Sequence, residues 1–318
     1  MKIWRFAVIS IISALLTCTM PKTTEKNMYG FTVQNWRAKA LEVAMNLTHL
    51  GQRFTLKEDS FVYDEQRKIA CVADGITRDF LDGSVVTHDL KGVMKFLNEQ
   101  YPSPSPAREA ADICTKSFME TKSFRQANGL IGEYNHEKGL LETNYLNRDL
   151  AGCTAAGFWE EKGLIHWTFI ADSRIAIIDK NGMRFKTPDQ GPHSEGRSLY
   201  LESRVQENGG WSNSKARRAI RKDYRNNPED NYFSFGVLTG EKNAERYIKT
   251  GMQPIRLGDY VLAFTDGITD IAFNRKNGIE ALNQDFYNIL NQDNFSALKK
   301  FCQKRVYAEG TLVVYKVE

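Results

Sequence analysis

The chain has 318 residues, 42% of them hydrophobic, which suits one large domain or two small ones around a substantial core. Its net charge of +4 is mild and argues for no nucleic-acid partner. Five scattered cysteines imply no disulfide framework, and five histidines show no paired zinc spacing.

In chain order, Lys2 and Arg5 precede an apolar run over residues 6–16, followed by Thr17 and Cys18. This is a signal-like or anchor-like leader, too short for a firm membrane span. A mis-assigned start is the competing reading, because Met20 or Met28 would begin the folded part equally well. Residues 1–28 are therefore set apart, and the folded domain is expected over 29–318. Largely core-like cysteines fit the cytoplasm. A real leader would instead place the chain on a membrane.

Residues 36–50 read as irregular or helical. SFVYD (60–64) and KIACVAD (68–74) read as strands joined by the polar turn Glu65-Gln66-Arg67. Val86, Leu90, Val93 and Leu97 recur at helical intervals within 82–99. A proline-punctuated link over 101–107 ends in Ser105-Pro106, an N-cap and first-turn pair for a helix over 107–124. Three strands are expected at 152–161, 163–172 and 173–180, with turn signals at Lys162-Gly163 and Asn181-Gly182. His166 is then a strand residue, and Cys71, Cys114 and Cys153 are small core residues. Residues 183–250 are polar and aperiodic, the mark of a functional flap. Within them, the basic cluster at 215–222 reads as a solvated helix face, or as a surface for an acidic or phosphorylated partner. A strand at 259–266, helices at 276–291 and 295–305, and a last strand at 311–317 complete the chain. This order lacks regular βαβα alternation and fits an α+β fold, with antiparallel sheets and helices segregated onto them.

Two segments stand out. KIACVADGITRDF (68–80) and DYVLAFTDGITD (259–270) are apolar strands that each end in Asp-Gly-Ile-Thr. Either copy alone reads as a turn. Together, Asp74 and Asp266 would stand on rigid strand ends, and each following glycine would let the backbone turn or approach a ligand closely. Converging carboxylates of this kind form a hard-oxygen site suited to Mg²⁺ or Mn²⁺.

Other segments line up with these two: KED (57–59) after Arg53, GCTA (152–155), ADSR (171–174) and AEGTLVV (308–314). With VADG (72–75) and TDGITD (265–270), these six motifs in this order resemble the bacterial PPM family, the type-2C metal-dependent Ser/Thr protein phosphatases. FGVLTGE (235–241) is similar to family sequence as well, and the match spans residue 51 to the end. The resemblance implies a four-layer α-β-β-α sandwich with a metal site at one edge, between the sheets. It implies two Mn²⁺ or Mg²⁺ ions bridged by Asp74, with the Gly75 carbonyl as a further ligand and Asp266 on one ion. Glu58 and Asp59 would act mostly through waters, and Asp172 would help hold a third, weaker ion. The substrate would be a phosphoprotein, hydrolysed by direct attack of metal-bound hydroxide with no phosphoenzyme.

The chemistry is sound on its own terms. Two ions about 3.5–4 Å apart acidify a shared water and clamp the phosphoryl oxygens for in-line attack. An arginine would add a bidentate phosphate contact. Arg53 is the family-like candidate, one residue further from Asp59 than usual, and Arg78 is the alternate. Three departures are visible. Ile76 stands where many members have a histidine. Ala308 falls on the terminal ligand aspartate, leaving Glu309 next door as the stand-in. Ala171 replaces a glycine. The alternatives are a phosphatase of a small phosphorylated metabolite, or a catalytically weak phosphoprotein-binding regulator.

Overall fold

The computed structural model describes residues 36–44, 46–49, 52–55, 57–76, 104–140, 150–191, 203, 206–207, 223–227, 229, 233–276, 279–306 and 309–318. The leader, the helix expected at 82–99 and the basic cluster at 215–222 lie outside them. Among the described residues no helix is long and apolar enough to cross a membrane.

Five strands come first: β1 (Trp36–Ala44), β2 (Asn46–His49), β3 (Gln52–Thr55), β4 (Ser60–Asp64) and β5 (Ile69–Gly75). Helices α1 (Pro106–Thr121) and α2 (Phe124–Glu137) follow. The middle holds β6 (Cys153–Glu161), β7 (Leu164–Ile170), β8 (Arg174–Asp179) and β9 (Gly182–Lys186). After a 3₁₀ turn at Lys242–Tyr247 come β10 (Lys249–Pro254), β11 (Tyr260–Phe264) and α3 (Asp266–Ala272). The hairpin β12 (Phe273–Lys276) and β13 (Ile279–Leu282), then α4 (Gln284–Asn291), α5 (Phe295–Gln303) and β14 (Glu309–Val317), close the chain.

One sheet runs β1-β14-β11-β8-β9 and the other β10-β7-β6-β5-β4, with every pairing antiparallel. Strand alternation explains how they stack. On β5, Ile69, Cys71 and Ala73 face α1 and α2, while Ala70 and Val72 face the other sheet. On β11, Tyr260, Leu262 and Phe264 face α3, α4 and α5, while Val261 and Ala263 face inward. The result is three apolar layers between four structural layers, as the family resemblance implies. Strands covered on both faces read as continuous apolar runs, which is how β5 and β11 look in the sequence.

Three expectations are corrected. Residues 36–44 form β1, laddered to β14 from Trp36↔Val317 to Ala44↔Glu309. Their Ala, Leu, Glu and Lys content favours helix, but a nine-residue ladder with Ala38 and Leu41 buried on opposite faces overrides that weak preference. The helix expected to reach residue 124 stops at Thr121, where Lys122 turns left-handed (φ 56°). A second helix, α2, then starts under the Ser123 cap. The helix expected from 276 begins at Gln284, because Asn283 caps it and the preceding residues form the β12–β13 hairpin. Elsewhere Ser105 caps α1 with Pro106 in its first turn, as expected. His166 sits in β7, stacked on Trp159 at 5.1 Å. Cys71, Cys114 and Cys153 are free and buried.

Candidate functional site

Asp74 continues the inward face of β5 past Val72, and Asp266 opens α3 directly after β11. Neither Asp-Gly pair is a turn. Gly75 is still in the ladder, paired with Cys153, and Gly267 lies in the first turn of α3. Neither glycine has a positive φ. Their need is close main-chain approach. A Cβ on Gly75 would lie 2.6 Å from the carbonyl oxygens of Ala107 and Glu58, and one on Gly267 would lie 1.8 Å from that of Glu309. The expected close approach is real, but it is to protein backbone, and it draws α1, the 58–59 segment and β14 onto the two aspartates.

Asp59 is buried just before β4. Its Oδ2 accepts from the Thr265 hydroxyl at 2.8 Å, while its Oδ1 is buried with no partner. Glu58 is also buried and accepts from the Ser105 hydroxyl at 2.6 Å, which ties it to the N-cap of α1. Glu309, at the start of β14, turns its carboxylate onto the Glu58 N–H (2.9 Å) and the Asp59 N–H (3.2 Å). Arg108 donates to the Asp59 carbonyl and pairs with Asp112 at 3.1 Å. Asp172 sits in the turn before β8, and its buried Oδ1 has no partner. Ala171 beside it is left-handed (φ 65°), so the alanine replaces glycine at a position that costs an L-residue about 1–2 kcal/mol. Across the sheets, Thr154, opposite Asp74 in the ladder, bonds Ser173 at 2.8 Å.

The electrostatics show these carboxylates to be neighbours. Burial pushes Asp74 well above the usual carboxylate range, and the charges of Asp266, Asp59, Asp172 and Glu309 push it further. Asp59 is likewise raised well above that range by burial, then by Glu309 and Asp266, against the Thr265 hydrogen bond. Asp172 is raised to about 7 by burial, then by Asp266 and Asp189. Asp266 itself is exposed, so the cluster opens to solvent on its side.

The donor set suits a hard cation: all oxygen, mutually repelling, with two buried carboxylate oxygens lacking partners. Among the described residues, no group of three or more His, Cys, Asp or Glu side chains is arranged to hold a metal ion. Glu309 is turned to main-chain N–H groups, so closing a ligand set here requires side-chain rotation. Arg53 lies in β3, paired with Thr48. Its side chain, Arg78 and Ala308 lie outside the described residues. Arg174 of the ADSR motif is structural, bonding Thr187 and pairing with Glu280 at 3.0 Å.

Sequence reading missed what Thr265, Ser105, Arg108 and Asp189 do beside these carboxylates. Thr265 lay inside a motif already singled out and Ser105 was read only as a helix cap, while Arg108 and Asp189 left no trace. Their partners are distant in sequence, so the contacts exist only after folding.

No family model and no curated protein matches the chain. Solved structures do. The Mycobacterium tuberculosis serine/threonine phosphatase PstP/Ppp aligns over 89% of this chain and 99% of its own, at 15% identity and a TM-score of 0.52. PppA, a key regulatory component of T6SS in Pseudomonas aeruginosa, aligns over 90% and 99%, at 13% identity and a TM-score of 0.50. At such identity the likeness is one of fold. The two antiparallel sheets, their flanking helices and this alignment together give the chain the α-β-β-α fold of the PPM-type serine/threonine phosphatases.

Proposed function

We propose that the chain is a metal-dependent phosphoserine/phosphothreonine protein phosphatase. The observation that carries this reading is the gathering of Asp59, Asp74, Asp172, Asp266 and Glu309, from five separate segments, close enough that Asp266 and Glu309 help hold buried Asp59 and Asp74, and Asp266 buried Asp172, above the usual carboxylate range. Asp74 would help hold two Mn²⁺ or Mg²⁺ ions, with the Gly75 carbonyl as a further ligand and Asp266 on one of them. Glu58 and Asp59 would act through waters, Asp172 would serve a third ion, and Glu309 would stand in for the absent terminal aspartate. Bound there, the ions supply an acidified water and charge neutralisation for the phosphoryl group. The chain's own residues do the positioning. Thr265 fixes the Asp59 carboxylate, and Ser105 restrains that of Glu58. Ile76 carries no transferable proton, so the leaving oxygen would take its proton from water or from another group. Arg53 or Arg78 would bind the phosphate, and the segment 183–250 would shape substrate choice.

The test is hydrolysis of p-nitrophenyl phosphate and of a phosphoserine peptide by the full chain, with Mn²⁺, Mg²⁺ or EDTA. Asp74→Asn and Asp266→Asn are measured alongside. Metal-dependent turnover is expected, lost in both variants by more than the roughly 10–100-fold typical of groups behind the ligands. Turnover confined to small phosphomonoesters would point to a metabolite phosphatase. A folded protein with no turnover at millimolar Mn²⁺ would point to a phosphoprotein-binding regulator.

A further inference from the structure

The residues just beyond Asp74 and Gly75 touch a part of the chain with its own hydrogen-bonding system. Ile76 packs on an apolar cluster of Tyr224, Phe235 and Val237. These residues belong to two arms, 223–227 and 233–241, through which the polar segment returns to the fold. The arms are laced together: the Asn226 N–H donates to the Phe235 carbonyl at 2.9 Å, and the Phe235 N–H to that of Tyr224 at 3.1 Å. The second arm then joins the site's scaffold, because Leu238 and Cys153 exchange both main-chain bonds and Cys153 pairs with Gly75.

Three buried asparagines grip these arms, each at most 3% exposed. Asn128 of α2 accepts from the N–H groups of Thr239 (3.1 Å) and Gly240 (2.9 Å). Asn135 of α2 bonds the Thr239 carbonyl at 2.9 Å and both polar groups of Ala151. These two lock residues 239–241 to the helix. Asn226 does a different job. Its Oδ1 accepts the Val237 N–H at 2.9 Å, and its amide nitrogen faces the Val237 carbonyl (2.9 Å), the Thr239 hydroxyl (3.1 Å) and the Glu241 carboxylate (2.8 Å). It does so from a left-handed backbone (φ 51°), a conformation asparagine tolerates better than most residues. The first arm is thus held to the fixed second arm by the Asn226 side chain and the short main-chain pair beside it, and at its end by the Tyr247 hydroxyl, which donates to the Asn227 carbonyl at 2.9 Å.

We propose that Asn226 is a positioning residue for protein substrates. It holds the arm 223–227 against Ile76, and so sets the wall beside the carboxylate cluster that a phosphopeptide meets but a small aryl phosphate does not. This rests on the phosphatase reading above. Removing the Asn226 amide loosens the first arm, which keeps the Tyr247 bond at Asn227, while Asn128 and Asn135 keep the second arm, and the strand end bearing Asp74, in place.

The test is Asn226→Asp in the full chain, which keeps size and backbone preference but sets a carboxylate against that of Glu241. For a phosphoserine peptide, KM is expected to rise about tenfold, with kcat held within about twofold. For p-nitrophenyl phosphate both constants are expected to stay within about twofold. Main-chain hydrogen exchange across 223–237 is expected to quicken about tenfold. Adding Glu241→Gln removes the repulsion and restores a donor, and should bring KM and exchange back to within about threefold of the parent. Asn226→Gly, which keeps the left-handed backbone without adding charge, should show the same split between substrates. Equal losses on both substrates, unchanged exchange, or no recovery with Glu241→Gln would each overturn the assignment. If the parent chain is inactive on both substrates, the phosphatase reading fails. The exchange measurements and their rescue then still decide whether Asn226 is the clamp.

Discussion

The Thr265 hydroxyl joins two segments that meet only in the folded protein. It donates to Asp59 Oδ2 at 2.8 Å and accepts from the Thr311 N–H at 2.9 Å. The same residue precedes α3 but makes no side-chain cap bond to it, so its hydroxyl serves the site rather than the helix. Thr265→Val keeps the shape and removes the hydroxyl. It leaves a buried carboxylate and a buried N–H short of a partner, a loss of about 1–3 kcal/mol in stability by chemical denaturation. If Asp59 serves the proposed metal centre, Mn²⁺ affinity by calorimetry should fall about 10–100-fold, the loss typical of groups that orient a ligand. Unchanged Mn²⁺ affinity would remove Thr265 from the site and leave it a purely structural bond.

Among the elements, the β6–β7 hairpin shows how little of a turn is visible in residue names alone. Lys162-Gly163 reads as a turn signal because of the glycine. In the structure both residues have positive φ, 54° and 78°, the geometry of a two-residue turn whose twist matches the flanking strands. Lysine is poorly suited to the first position, and asparagine is favoured there. Lys162→Asn should stabilise the protein by about 0.5–1 kcal/mol, read as a rise of about 1–4 °C in Tm with activity unchanged. A fall in Tm would mean that the lysine side chain supports the hairpin. The hairpin β12–β13 is held differently: Glu280 receives both Arg174 and Lys186, so the otherwise uncompensated charge of buried Arg174 is matched by an element that sequence reading took for helix.

For the whole molecule, the acidic cluster couples stability to pH and to cations. Asp59, Asp74 and Asp172 have folded-state pKa values above those of the unfolded chain, where aspartate titrates near ~3.9. The metal-free folded state therefore holds protons that the unfolded chain releases. The stability this contributes is full below about pH 4 and is lost as pH rises through the folded values, about 7 for Asp172. In EDTA, Tm should fall by several degrees between about pH 5 and pH 7.5, and millimolar Mn²⁺ should reverse the fall at the upper end. A cation at a hundredfold excess over its Kd adds about 2.7 kcal/mol. A Tm that is flat in EDTA and indifferent to Mn²⁺ would show that these carboxylates do not repel in the folded state.

The sequence by itself determined the strands that carry the two Asp-Gly pairs, because β5 and β11 are buried on both faces and leave an unbroken apolar signature. It also determined the order of the acidic motifs and the α1 cap at Ser105, all of which are local patterns. Tertiary structure alone decided that residues 36–44 are a strand, since their partner, β14, lies at the far end of the chain. It decided why Gly75 and Gly267 must be glycine, since the atoms they make room for belong to α1, the 58–59 segment and β14. It set Glu309 onto the N–H groups of Glu58 and Asp59, and Asn226 onto Glu241. Each of these depends on contacts between residues distant in the chain, or on an orientation that the ladder and the packed layers impose, and no local pattern encodes either.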